Sequence, residues 1–323
     1  MLIKDGCYGE VDISEPVLIE LINSKPLQRL KGIQVAGVMY KVIPWKNITR
    51  YEHCLGVMII LRKLGASLEE QIAGLLHDVP HTAFSHAVDF VFKNEEQDYH
   101  EKFHEKIILD SEIPKILEKY SFDISDILDE KRHTLLESKM PNLCADRVDY
   151  TLKEFIARGD KQETVFEYVN SLIVVDGKIV FEDKKIAKKF SEEFLLMVQS
   201  WASPIQLTVV ETIAHTLKES LNKGIIDEGD FFLEDEMVLE KMYSSKDPIV
   251  LKLLNRLTPN LKVIEDEKQF DYYSKEKCRF VDPEIKVGEE LIRVSDVFSD
   301  FKKMLIQHKE IMEKGIHARI ISF

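Results

Sequence analysis

The amino-acid sequence predicts a mainly α-helical protein with a short β-hairpin near residues 172–182 and a small mixed C-terminal part. Two observations carry that reading. Through most of the first two-thirds of the 323 residues, apolar side chains recur at helical spacing, as in "EPVLIELINSKPLQRLKGIQ" and "RYEHCLGVMIILRKLG". The stretch "SLIVVDGKIVFED" (171–183) breaks the pattern, with two β-rich runs flanking an Asp-Gly pair, the strongest short hairpin signal.

Taken in order, Pro26 is placed to start a second helix within the first run. The helix over 50–65 is closed by Gly65. "SLEEQIAGLLHDVPH" opens on Ser67 with Glu70 three positions later, a capping-box pattern. Pro80 should stop or bend that helix just after His77 and Asp78. Further helices are expected over 100–120, 133–158, 185–200 and 205–223. Weak β signals in "LKVIED" and "CRFVDPEIKV" precede a last helix over roughly 295–314. Residues 224–300 are richer in acidic and turn residues, which puts a border near Gly224. Residues 1–223 then form a helical core, and 224–323 a mixed α/β subdomain packed on it. "EGDFFLEDE" (228–236) lacks the spacing of a calcium-binding loop and reads as a solvated loop.

Composition narrows the function. Apolar residues make up 45% and charged residues 31%, ordinary for a soluble globular chain. The longest apolar runs, such as "VMIIL", are far too short to span a membrane, and "MLIKDGCYGEVD" has no signal-peptide core. Cys7, Cys54, Cys144 and Cys278 form no C-x-x-C pair, which disfavours a disulfide framework and fits a reducing cytoplasm. A net charge of −13, spread along the chain, disfavours extended duplex nucleic acid as a partner. The densest basic run, "DKKIAKKF" (183–190), reads as a solvated helix face.

The chemistry concentrates in "AGLLHDVPHTAFSHAVDF" (73–90). His77 and Asp78 end an apolar helix, where buried polar groups need partners. A helix C-terminus tolerates a histidine and a loop amide can satisfy the aspartate, so this pair alone decides nothing. His53, mid-helix among apolar neighbours, and Asp146, on a separate amphipathic helix, change the balance. Two imidazoles and two carboxylates suffice for a mixed nitrogen/oxygen site that suits Mn, Fe, Ni, Zn or Co better than Ca. Cys54 and Cys144 flank two of these positions and read as small buried thiols rather than ligands.

"TRYEHCLGV", "AGLLHDVPHTAFSHAVD" and "ADRVDYTLKE" resemble the H…HD…D signature of the HD-domain metal-dependent phosphohydrolases. The nearer similarity is to the branch of bacterial dGTP triphosphohydrolases and the animal SAM- and HD-domain deoxynucleotide triphosphohydrolase. "QRLKGIQVAGVMYKVIPWKNITRYEH", "LIVVDGKIVFEDKKIAKKF" and "CRFVDPEI" extend it over nearly the whole chain. The resemblance implies an HD-domain helical bundle with metal ligands His53, His77, Asp78 and Asp146. It implies active-site roles for His81 and His86, and for an Asp89 that orients a catalytic His100 and keeps it charged, with His104 a bystander. Arg50, Arg147 and Tyr150 match positions that contact substrate phosphate or sugar. His77 with His81, and His86 with Asp89, have the spacing of one helical face, although Pro80 interrupts the first pair.

The implied activity is hydrolysis of a small-molecule nucleotide by metal-activated water and a His/Asp general acid, with Mg joining on substrate phosphates. The related enzymes assemble as oligomers, so a homo-oligomer is expected. The chain departs from the branch at 194–212, where a tyrosine-x-His-Lys cluster is replaced by "MVQSWASPIQLTVV", with Trp201 nearby. Losing those donors weakens a triphosphate clamp. The leading expectation is therefore a deoxynucleoside triphosphate triphosphohydrolase. A nucleotide phosphomonoesterase or phosphodiesterase is the runner-up, and a non-catalytic nucleotide-binding regulator comes third.

Overall fold

The helix Arg50–Lys63 is buried on almost every side and forms the centre of the molecule. The computed structural model describes residues 1–94, 96–275 and 277–323. Thr49 starts the central helix with a reciprocal cap: its hydroxyl accepts from the Glu52 amide, and Glu52 accepts from the Thr49 amide at 2.8 Å. Helix Leu68–Leu76 packs along it and helix Ala145–Ala157 against another side.

Ser67 caps Leu68–Leu76 as expected, accepting from the Glu70 amide at 3.1 Å. The Glu70 carboxylate does not complete the box. It accepts instead from the amides of Leu135 and Leu136 at 2.7 and 3.2 Å. Those bonds help explain why the helix expected over 133–158 contracts to Ala145–Ala157: backbone donors at 135 and 136 are spent on a side chain. His133 is likewise held outside a helix by the carbonyls of Asp126 and Ile127. The helix expected over 100–120 divides into a 3₁₀ turn, Glu101–Phe103, and helices His104–Leu109 and Ile113–Lys119, the last with Pro114 in its first turn. Lys184–Trp201, Pro204–Asn222 and Ser299–Lys314 fall where the periodicity puts helices.

The hairpin pairs Leu172–Val175 with Lys178–Phe181, and Asp176 and Gly177 turn it with φ of 50° and 72°. Both positive angles belong to the turn that Asp-Gly favours. Phe181 pairs in parallel with Ile285, so Glu284–Val287 and Glu290–Arg293 extend the hairpin to four strands. Ile316–Ser322 lies between Lys262–Glu265 and Tyr272–Ser274 in a second sheet, and Leu2–Asp5 pairs with Gly9–Asp12 at the N-terminal end. Packing crosses the border expected near Gly224. The larger core joins Val57, Phe155 and Phe190 to Val281, Ile285 and Phe301. The smaller joins Val38, Phe84 and Ile213 to Phe231, Leu239 and Leu254.

Residues 228–236 are not the solvated loop that their acidity suggests. Asp227 caps a 3₁₀ turn over Glu228–Phe232, Phe231 is fully buried, and Asp235 is buried at the start of helix Asp235–Ser244. The two Asp235 oxygens accept from the amides of Gln34 at 3.0 Å and Phe84 at 2.7 Å, while the Ala83 amide donates to the Phe231 carbonyl at 2.7 Å. These bonds hold a loop in which Phe84 and Ser85 both take left-handed angles, φ 62° and 51°. Such angles cost a side-chain-bearing residue about 1–3 kcal/mol and persist when the surroundings impose them.

Burial pushes the Asp235 carboxyl up to about 6 against the pull of the two amides. A carboxyl with a folded-state value above its unfolded one favours folding when protonated. That contribution is full below the unfolded value of about 3.9 and is lost as pH rises through the folded one. Asp235→Asn, neutral throughout, should therefore gain about 2 kcal/mol on the parent protein between about pH 4.5 and 7.5. Urea unfolding of both proteins at the two pH values measures this. A stability difference that does not change with pH contradicts it.

Candidate metal centre

Three helix ends converge on one point. The first turn of Arg50–Lys63 carries Arg50 and His53; His77 and Asp78 follow Leu68–Leu76; and the first turn of Ala145–Ala157 carries Asp146, where the helix dipole favours a carboxylate. His77 Nδ1 lies 2.7 Å from the Gly74 carbonyl and donates to it, leaving Nε2 facing the cluster. His53 Nε2 is 2.9 Å from Asp146 Oδ1 and 3.8 Å from Asp78 Oδ2. His77 Nε2 is 3.6 Å from Asp78 Oδ1 and 3.7 Å from Asp146 Oδ1. Donors each about 2.1 Å from one ion lie roughly 3.0–3.4 Å apart, so modest adjustment of these four side chains fits a divalent metal.

The donor chemistry agrees. His77 Nε2 is buried with no hydrogen-bond partner, an arrangement that is costly unless something else occupies the nitrogen. Burial works against a proton on His53 and His77. The neighbouring carboxylates outweigh it and raise both imidazoles, His53 through Asp146 and Asp149 and His77 chiefly through Asp78. Burial opposes ionisation of Asp78 and Asp146 too, yet Arg50 for the first and the two histidines for the second hold them well below the usual carboxylate range. The site is built for positive charge.

Asp149, which sequence reasoning missed, sets this geometry. It is fully buried, and its Oδ2 stands 2.7 Å from His53 Nδ1, which keeps a proton there and turns the Nε2 lone pair to the cluster. Tyr8 donates to Asp149 Oδ1 at 2.8 Å, and Lys153 lies 3.7 Å from the same oxygen while donating to Asp5 at 2.7 Å. Room for the carboxylate comes from Gly56, where an added Cβ would fall 1.9 Å from Asp149 Oδ1. The available signal was the Asp-x-x-Asp spacing of "DRVD" on a helix, which puts both carboxylates toward one neighbour.

Of the remaining expected residues, Arg50, His81, His86, His100, Arg147 and Tyr150 line the same cavity, of about 920 Å³, while Asp89 stands behind His86, and three expectations are corrected. Asp89 orients His86 rather than His100: its Oδ2 is 3.1 Å from His86 Nδ1, one turn away, while Oδ1 accepts from Asn94 and the Tyr99 amide. His100 arrives from the following loop and stacks on His81, with ring centroids 3.6 Å apart. His77 and His81 do not share a helical face, because the helix ends at Leu76; a turn instead brings His81 Nε2 to 3.4 Å from Asp78 Oδ1. Nor is a charged histidine held ready. Burial first, then cationic neighbours, lowers His81, His86 and His100, the last to about 3.

Arg50 is less open than a phosphate clamp. Its Nη1 donates to Asp78 Oδ2 at 2.7 Å and its Nε to Ser85 at 3.0 Å, with the side chain almost wholly buried. Arg147 donates to the carbonyls of Ser138 and Asn142 while lining the cavity. Tyr150 stands in the wall beside Trp201 and Phe194, its phenol pushed up by burial. Sequence reasoning also missed a buried wall group in which Glu154 accepts from Lys46 at 2.7 Å and from the Trp201 indole at 3.1 Å. His104, expected as a bystander, lines the cavity as well.

Replacing Asp149 by Ala should lower metal affinity about 10- to 100-fold, and Gly56→Ala should match it by displacing the carboxylate. Metal content after dialysis against a competing chelator measures both. Retention of metal by either variant at the parent level contradicts the assignment.

Comparison with known proteins places this geometry. The HD domain family model matches residues 50–152, the span that contains His53, His77, Asp78 and Asp146. The chain is 40% identical over 324 residues to the uncharacterized protein YdhJ of Bacillus subtilis, with 99% of each covered. It is 32% identical over 237 residues to the metal-dependent phosphohydrolase cns2 of Cordyceps militaris, covering 71% of this chain and 68% of the relative. A shorter match, 34% over 103 residues, joins it to the deoxynucleoside triphosphate triphosphohydrolase SAMHD1 of Bos taurus, covering 27% of this chain and 17% of that protein. A buried His/Asp cluster on three converging helix ends, inside the matched span, is thus the centre of a chain that belongs to the HD-domain metal-dependent phosphohydrolases.

Proposed function

We propose that this protein hydrolyses nucleotides and that deoxynucleoside triphosphates are its substrates, with release of triphosphate. One observation carries the reading: donors from His53, His77, Asp78 and Asp146 gather on the wall of a cavity of about 920 Å³, large enough for a nucleotide. The triphosphohydrolase among the relatives supports the substrate class. The mixed nitrogen and oxygen donors suit Mn, Fe, Ni, Zn or Co, with Mg accompanying the substrate phosphates. A divalent ion bound there polarises a phosphoryl oxygen and acidifies water.

The protein's own groups do the rest. Asp149 orients His53, and Arg50 holds Asp78 in register. Burial lowers His81, His86 and His100 before a substrate phosphate arrives, in His86 against the pull of Asp89. The negative charge of that phosphate raises them, and His86 takes up a proton from solvent. His86, backed by Asp89, then protonates the leaving oxygen, with His81 and His100 stacked beside it. Arg147 and Tyr150, which line the same cavity, contact phosphate and sugar.

A second reading, hydrolysis of a nucleotide monoester or diester, is favoured by one feature. Helix Pro204–Asn222 gives the wall Gln206, Leu207, Val209, Val210 and Ile213, with none of the basic groups a triphosphate clamp would use there.

The test is phosphate release from a nucleotide panel by the Mn-loaded protein, with His77→Ala and Asp78→Ala alongside. Triphosphate release that falls at least about 1,000-fold in both variants, and is abolished by chelation and restored by metal, is the expected result. Orthophosphate from monophosphates points to the second reading. Turnover that survives chelation and both substitutions removes both.

A further inference from the structure

The cavity is lined by several cations, and three of its buried ones are already paired. Arg50 is paired with Asp78, Lys46 with Glu154 and Lys153 with Asp5, each at 2.7 Å. Arg147 spends Nη1 on backbone carbonyls. A substrate bearing several negative charges, in a chain of net charge −13, needs a cation that is not spent this way.

Arg279 meets that need from a part of the chain remote from the HD motifs. It is half-buried and lines the cavity, and among the described residues its side-chain hydrogen bond is from Nη2 to the neutral side-chain Oε1 of Gln97 at 2.7 Å. No described carboxylate forms an ion pair with it. Its charge reaches both His86 and Tyr150, which line the cavity with it. The backbone is fixed as firmly as the side chain is available. His308, fully buried on helix Ser299–Lys314, donates from Nε2 to the Arg279 carbonyl at 2.9 Å, and its Nδ1 accepts from Gln199 at 3.2 Å. Lys277, two positions earlier, reaches the Glu96 carbonyl at 3.3 Å. A guanidinium on a pinned backbone segment offers a planar, permanently charged fork at low entropic cost.

We propose that Arg279 binds a phosphate group of the substrate other than the one attacked, supplying the anion contact that helix Pro204–Asn222 lacks. The assignment rests on the polyphosphate reading above. His308 is its positioning residue.

The metal-loaded full chain is compared with Arg279→Gln, Arg279→Lys and His308→Gln, by titration calorimetry with inorganic tripolyphosphate and by steady-state kinetics with deoxynucleoside triphosphate. Arg279→Gln should weaken tripolyphosphate binding and raise KM about 10- to 100-fold, with kcat changed less than about threefold. Arg279→Lys should recover part of the loss, His308→Gln should show a smaller rise in KM at unchanged metal content, and binding of inorganic orthophosphate should not move. Parent-level KM and tripolyphosphate affinity in Arg279→Gln overturn the proposal, as does equal weakening of orthophosphate or an absence of tripolyphosphate binding by the parent protein. If the parent turns over no triphosphate but Arg279→Gln still loses tripolyphosphate, the substrate reading fails and the Arg279 site stands. If triphosphate turnover is robust and the variant is unaffected, the reverse holds.

Discussion

A carboxylate with no exposure to water needs both a cavity and a set of donors, and Asp149 has them because position 56 carries no side chain. The hollow at Gly56 lets helix Ala145–Ala157 bring Asp149 against the central helix, beside His53. One contact thereby fixes the relation of two helices and the direction of an imidazole. Tyr8 and Lys153 close the remaining side, so the N-terminal hairpin is part of the site's support although none of its residues carries an HD motif. Such buried ionic groups cost several kcal/mol each unless fully partnered, and here each described member has a partner.

The electrostatics divide the cavity into two layers. Around His53, His77, Asp78 and Asp146 the carboxylates prevail and positive charge is welcome. Around His81, His86 and His100, burial and the nearby Arg50 prevail, and protons are held loosely. Asp78 is the seam, touching Arg50 and His53 through one oxygen and His77 and His81 through the other. In the proposed reaction, an anionic substrate entering the second layer would raise its proton affinity, the direction that acid catalysis requires.

Much of this was legible in the sequence because it is local. Asp176 and Gly177 dictate their turn, and the apolar periodicity around His53 and after Asp183 dictates helices. The four candidate ligands sit in short motifs whose residue types are rare inside apolar helices. What could not be read is what depends on distant partners. Glu70 looked like the second half of a cap, yet two amides 65 and 66 positions away compete for it, and the same bonds shorten the following helix. Asp89 was assigned to the wrong histidine because chain order does not reveal that His100 lies flat on His81. Acidity at 228–236 suggested solvent, whereas Asp235 is buried to satisfy amides in two other segments.

The loop at Phe84 and Ser85 lies between His81 and His86, and its left-handed backbone is held from outside, by a carboxylate 151 positions beyond Phe84. The distance between the two halves of the chemistry is therefore not encoded where the chemistry is encoded. The segment that holds the HD motifs relies on acceptors at Phe231 and Asp235, outside it, for the amides of Ala83 and Phe84. Sequence drift around Asp235 could retune the spacing without touching a single residue that meets the substrate.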